Sequence, residues 1–183
     1  CDNLEVVSIP SSVRHIESKT VGSIAFADCN AIDSIYWNAH NCHNVPFTYT
    51  DNANVRVVVF GDSITRIPNN FCKDFDNLTT VVLPPALESI GSYAFSGCKE
   101  LSSSLVLDSV ITIADNAFHS CDSLRVVEFG KNLKTIGQSA FYSTALRSAI
   151  FHEGLDSIKR SAFALCDNLE VVSIPSSVRH IES

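Results

Sequence analysis

The chain has 183 residues, 45% hydrophobic and only 18% charged, with a net charge of −7. This composition excludes a disordered chain, and acidity without any Lys/Arg run argues against nucleic acid or an anionic membrane surface as the partner. No apolar stretch reaches the roughly 18–20 residues of a bilayer span, so no membrane insertion is expected in this segment.

The first eighteen residues, CDNLEVVSIPSSVRHIES, recur letter for letter at 166–183, an offset of 165. A start at Cys1 in a chain without Met reads as a mature or internal fragment. Between the two copies runs a shorter repeat. Short apolar strands are expected in chain order at LEVVSIP (4–10), AIDSIYW (31–37), LTTVVLP (78–84), LRVVEFG (124–130) and LRSAIFH (146–152), with the strand of LSSSLVLDSV (101–110) shifted by one. Turns with a common Ala-Phe frame follow: VGSIAF (21–26), IGSYAF (90–95), IADNAF (113–118), IGQSAF (136–141) and IKRSAF (158–163). Phe95, Phe118, Phe141 and Phe163 are 23, 23 and 22 residues apart. The units divide as 1–28, 29–51, 52–74, 75–97, 98–120, 121–142 and 143–165, with a truncated eighth at 166–183. The whole chain, 1–183, is therefore expected to form a single solenoid of about seven coils plus that partial one.

A unit this short cannot bury its apolar groups alone, whereas neighbours stacked at roughly 4.8 Å share one continuous core. Leu4, Val7 and Ile9 point inward in this reading, as do Leu78, Val81 and Leu83, and Leu124, Val127 and Phe129. Val13 and Ile16 form the next wall, and the phenylalanines stack along one edge. Trp37 aligns with inward Ile9 and is expected in the core.

The unit, C-x-x-L-x-x-V-x-I-P-x-x-V-x-x-I-G-x-x-A-F, resembles the BspA-like (Treponema pallidum-type) leucine-rich repeat over nearly the whole chain, most weakly over 38–54. The resemblance implies a right-handed solenoid with short parallel strands on the concave face and irregular or 3-10 turns on the convex side. It also implies surface or extracellular proteins used for adhesion and binding, with no catalytic motif and no cofactor. The expected partner is a protein, a host or matrix component, or further copies of the chain. An alternative is the subunit of an extracellular fibre, built from the 165-residue super-repeat and associating end to end.

Strand alternation sets candidate ligand-binding positions on the concave face at Tyr36, Val57, Val59, Val82, Val126, Glu128 and Ile150. A solvated face should be Ser, Thr and charged; this one is rich in Val, which fits an interaction surface or, more simply, β-propensity. The irregular second unit adds His40, His43 and Tyr49 as loop candidates. HNCH at 40–43 lacks the second cluster that tetrahedral metal sites use, so no metal is expected. Five of seven cysteines begin units, which fits buried thiols packed as small hydrophobes; disulfides between neighbouring coils are the alternative. No hydrolase, metalloprotease or phosphate-loop motif is present, and catalysis has no support. Asn77-Leu78-Thr79 is a lone glycosylation sequon, relevant only to a eukaryotic secreted protein.

Overall fold

The computed structural model describes residues 3–14, 29–40 and 54–182. Among them are fourteen short strands and no helix: β1 (Val6–Ile9), β2 (Ser34–Trp37), β3 (Val57–Phe60), β4 (Arg66–Ile67), β5 (Thr80–Val82), β6 (Ser89–Ile90), β7 (Leu105–Leu107), β8 (Thr112–Ile113), β9 (Val127–Phe129), β10 (Thr135–Ile136), β11 (Ser148–Ile150), β12 (Ser157–Ile158), β13 (Val171–Ser173) and β14 (His180–Ile181). All pairings are parallel, and the chain winds as a parallel-strand solenoid. One wall carries the longer strands, ordered β1-β2-β3-β5 and continued by β7-β9 and β11-β13; a second carries the two-residue strands β4 through β14.

A third set of inter-coil bonds runs through the turns. Phe95, Phe118 and Phe141 each donate a backbone N–H to the next coil, at Ala117, Ala140 and Ala162, over 2.8 Å. Residues two before and two after each Phe take positive φ, for instance Asn116 (57°), Ser120 (56°), Ser139 (51°) and Ser143 (54°). Small polar residues tolerate that left-handed geometry. Their N–H groups also point to the next coil, Asn116 to Gln138 and Ser120 to Tyr142. Thus the turn, which has no strand, still satisfies its buried amides between coils.

The longer-strand wall breaks twice, between β5 and β7 and between β9 and β11, the first time at LSSSL. Ser102 and Ser103 both donate to the Thr79 carbonyl, and the Ser103 hydroxyl accepts from the Val81 amide at 3.2 Å. The extra residue bulges out, and the strand of LSSSLVLDSV resumes one position late, with Leu105 opposite Val127.

Val7, Ile35, Val58, Val81, Leu105, Val127 and Ala149 point into the core. Phe95, Phe118, Phe141 and Phe163 stack with centroids 5.2, 5.2 and 5.3 Å apart and nearly parallel planes. Towards the N-terminus the stack turns into edge contacts, Phe60 against Phe95 and Trp37 against Phe71 at 4.9 Å. Trp37 is buried, as its alignment with Ile9 implies. Leu4 departs from the inward expectation and is exposed: it precedes the first strand, whose Val7 and Ile9 are buried against β2. Leu83 is only half-buried against the core.

Among the described residues Cys29, Cys72, Cys98, Cys121 and Cys166 are free thiols, so the inter-coil disulfide alternative does not hold at Cys98 and Cys121. Cys98, Cys121 and Cys166 instead donate S–H to the carbonyls of Cys72, Phe95 and Phe141, at 3.0, 3.1 and 3.0 Å. Thr144 stands in the same column, but its hydroxyl bonds within its own coil, donating at 3.1 Å to the Phe141 carbonyl that Cys166 also reaches. Burial pushes the thiols of Cys72, Cys98 and Cys121 up, holding them protonated and poor nucleophiles.

The last coil is pinned by a carboxylate. Glu153 accepts from the Ser176 hydroxyl at 3.1 Å and from the Ser176 and Ser177 amides at 3.2 Å. The Ser176 hydroxyl bond, then these amides, hold the Glu153 carboxyl below its ordinary value of 4.5. A depressed carboxyl stabilises the fold above its unfolded value and loses that contribution as pH falls through the folded one. Hydrogen exchange at the Ser176 and Ser177 amides should therefore accelerate, beyond its intrinsic pH dependence, as pH drops below 4.5. Unchanged protection there would show that the carboxylate does not hold the coil.

Candidate functional site

The alternation of the longer strands turns one residue in two outward, and parallel register lines these residues into columns. Register places Tyr36, Val59 and Val82 in one column. Val106 and Glu128 are paired beyond the break, and Ile150 stands opposite Ser173 in the last pair. Val82, Val106 and Ile150 are 46%, 50% and 52% exposed; Tyr36, Val126 and Glu128 are exposed as well.

Val57 and Val59 are not solvent-facing as expected, but half-buried. Val59 lies between Tyr36 and Val82, and Val57 between Ser34 and Thr80, so side chains on adjoining strands cover them. Val82 escapes this cover because the ladder breaks beside it. Val106 is an exposed member of the face that strand alternation alone did not single out; its signal was Leu105-Val106-Leu107, an outward residue between two buried ones.

His40 is exposed in the turn after β2, with its amide on the Asn38 carbonyl at 3.0 Å. The other two loop candidates, His43 and Tyr49, lie outside the described residues. Asn77 is exposed next to buried Leu78, and the Thr79 hydroxyl donates to the Arg56 carbonyl at 3.1 Å. Among the described residues, no three His, Cys, Asp or Glu side chains gather as a metal site would require. The outward face thus offers an apolar strip interrupted by one carboxylate, which suits contact with another surface.

The BspA type leucine rich repeat region matches in six copies across residues 1–102 and 88–183. The chain belongs to the BspA-type leucine-rich-repeat family. Leucine-rich-repeat solenoids of this kind are binding scaffolds for protein–protein interaction, typically without catalysis. A leucine-rich repeat protein of Bacteroides ovatus has a similar structure, with 25% identity and a TM-score of 0.75 over 98% of this chain and 48% of that one. A leucine rich cell surface protein of Faecalibacterium prausnitzii aligns at 22% identity and a TM-score of 0.53, over 94% of this chain and 48% of that one. The chain therefore spans about half the length of each. Among curated protein sequences, none matches it. No helix among the described residues is long and apolar enough to cross a membrane.

Proposed function

We propose that this BspA-type repeat chain is a non-catalytic binding module of a cell-surface or extracellular protein, adhering through the outward face of its longer strands. The observation that carries the reading is the set of exposed apolar residues on the outward face of the longer strands, Tyr36, Val82, Val106 and Ile150, with Val126. Isolated surface hydrophobes are ordinary, but apolar residues exposed on one face of several coils make a sticky surface that a protein normally covers. Extracellular placement also belongs to the proposal, in company with the Faecalibacterium prausnitzii protein described as a cell surface protein. In the same reading His40, His43 and Tyr49 supply further polar contacts, and Asn77 carries glycan only in a eukaryotic secretory setting.

The test substitutes Val82, Val106 and Ile150 together by Thr and measures adhesion to immobilised fibronectin, collagen and laminin. Binding to at least one of them by the parent chain, weakened about 10-fold or more in the variant, is expected. The melting midpoint should hardly move, because exposed substitutions cost roughly 0.5 kcal/mol or less. Equal binding by the variant, or no binding by the parent chain, overturns the proposal.

A further inference from the structure

In the middle of the chain the longer-strand wall opens between β5 and β7. The coils that carry these strands, 75–97 and 98–120, stay joined elsewhere: β6 pairs with β8, and Phe95 stacks on Phe118 at 5.2 Å. Between β5 and β7 no ladder forms, and the Val81 amide donates to the Ser103 hydroxyl instead. The inward column registers the gap. Trp37, Phe60, Leu107, Phe129 and Phe151 are buried in it, whereas Leu83 is only half-buried. At the second break Phe129 and Phe151 still meet at 4.8 Å, and their rings fill the space. At the first break the column holds two leucines, Leu83 and Leu107, which are too small to do so.

The opening is a cleft of about 260 Å³. Leu83, Pro84 and Pro85 form one side and Val106 the other, and Asp108 and Ser109 are its polar residues. The prolines fix the φ of their rim, so that side needs little ordering when a ligand enters. Asp108 is exposed, and exposed Glu128 stands opposite Val106 on the next strand. Neither carboxylate has an ion-pair partner among the described residues, whose pairs lie at Lys99–Asp76, Lys159–Asp115 and Arg179–Asp156. No Lys or Arg lines the cleft.

We infer that this cleft is the socket for one arginine side chain of a protein partner held on the outward face. A purely apolar side chain would seat against Leu83 and Val106 but would strip water from Asp108 without replacing it. A basic side chain answers both demands, with methylenes for the walls and a charged head for the carboxylates. Arginine fits better than lysine. Its planar fork bonds a carboxylate through two N–H groups and is more weakly hydrated than an ammonium. The methylenes then lie between Leu83 and Val106, the guanidinium donates to Asp108, and Glu128 adds attraction at the lip. Exposed Val82 and Val106, on the two strands that flank the cleft, receive the apolar neighbours of that arginine. The socket rests on the proposed function only in taking the partner to be a protein that meets this face.

The test titrates the isotope-labelled 183-residue chain with the peptide acetyl-Val-Thr-Arg-Thr-Val-amide, followed by its amide resonances. The control peptide carries citrulline, the neutral isostere of arginine. Shifts should centre on Val82, Val106 and Ser109, and the arginine peptide should bind about 10-fold more tightly than the control. Asp108→Asn should erase that difference, and because Asp108 is exposed the core stays intact. Leu83→Phe continues the rings of Phe60 and Phe129 into the cleft and should abolish binding, with a melting midpoint that holds or rises. Equal binding of the two peptides by the parent chain, no binding of either, or shifts centred elsewhere overturns the socket. So does an Asp108→Asn chain that still prefers arginine, which decides the matter even if Leu83→Phe is strained. The peptides stand in for the matrix proteins, so a parent chain that fails to adhere to fibronectin, collagen and laminin overturns the adhesive reading and leaves this result readable.

Discussion

Phe118→Ala should cost roughly 3–5 kcal/mol and lower the melting midpoint by roughly 6–20 °C. The ring is completely buried and lies between Phe95 and Phe141, with centroids 5.2 Å away on both sides. Its removal leaves a cavity that the coils cannot close, because three sets of inter-coil hydrogen bonds fix their spacing. Part of the loss is the stacking itself, which adds to burial only when the geometry is held. Phe163→Ala is the internal control. That ring is half-buried and stacks on Phe141 alone within the column, so it should cost about half as much. Equal costs at the two positions, or a Phe118→Ala melt that hardly moves, would mean that the column is not what holds successive coils together.

The repeat frame was readable because it is set by backbone spacing. A period of 22 or 23 residues returns Leu78, Val81, Leu124 and Val127 to the same inward positions, and all four are buried. Even the one-residue shift at LSSSL was visible as a displaced apolar alternation, and at this joint the Ser103 hydroxyl takes the Val81 amide. What alternation cannot show is how far a residue is covered by the strands beside it. Val59 and Val82 occupy the same column and differ because one has strands on both sides and the other borders the break. The turn bonds were equally hidden. They run between backbone groups, and the left-handed positions that aim them hold Tyr93, Asn116, Ser139 and Ser161 in successive coils, so no single residue type marks them. The thiol bonds share that difficulty, since Thr144 stands in the cysteine column yet bonds the Phe141 carbonyl of its own coil, so position in the frame does not fix the partner.

Gly137→Ala should destabilise the chain by roughly 1–3 kcal/mol, the ordinary cost of forcing a methyl into filled space. A Cβ at this position would come within 2.5 Å of the Ala114 carbonyl carbon and the Asp115 amide nitrogen, and 2.6 Å of the Asp115 carboxylate. The closeness has a purpose: Asp115 Oδ1 reaches across to accept the Gln138 amide at 2.8 Å. Two coils earlier, Asn69 Oδ1 takes the Ser92 amide at 2.9 Å, and Gly91 stands beside it. Glycine therefore accompanies an Asn or Asp of the preceding coil that crosses between coils at this corner. Lys159 follows Gly137 in the same column and already carries a side chain, so Lys159→Ala should be nearly neutral, apart from a solvated ion pair to Asp115 at 4.0 Å. Asp115→Ala combined with Gly137→Ala should recover little, because two of the three close atoms belong to the backbone. A double-mutant cycle on thermal melts separates the contributions. Full recovery in the double variant would place the strain in the carboxylate alone, and a Gly137→Ala melt that overlays the parent would show that this corner can widen at no cost.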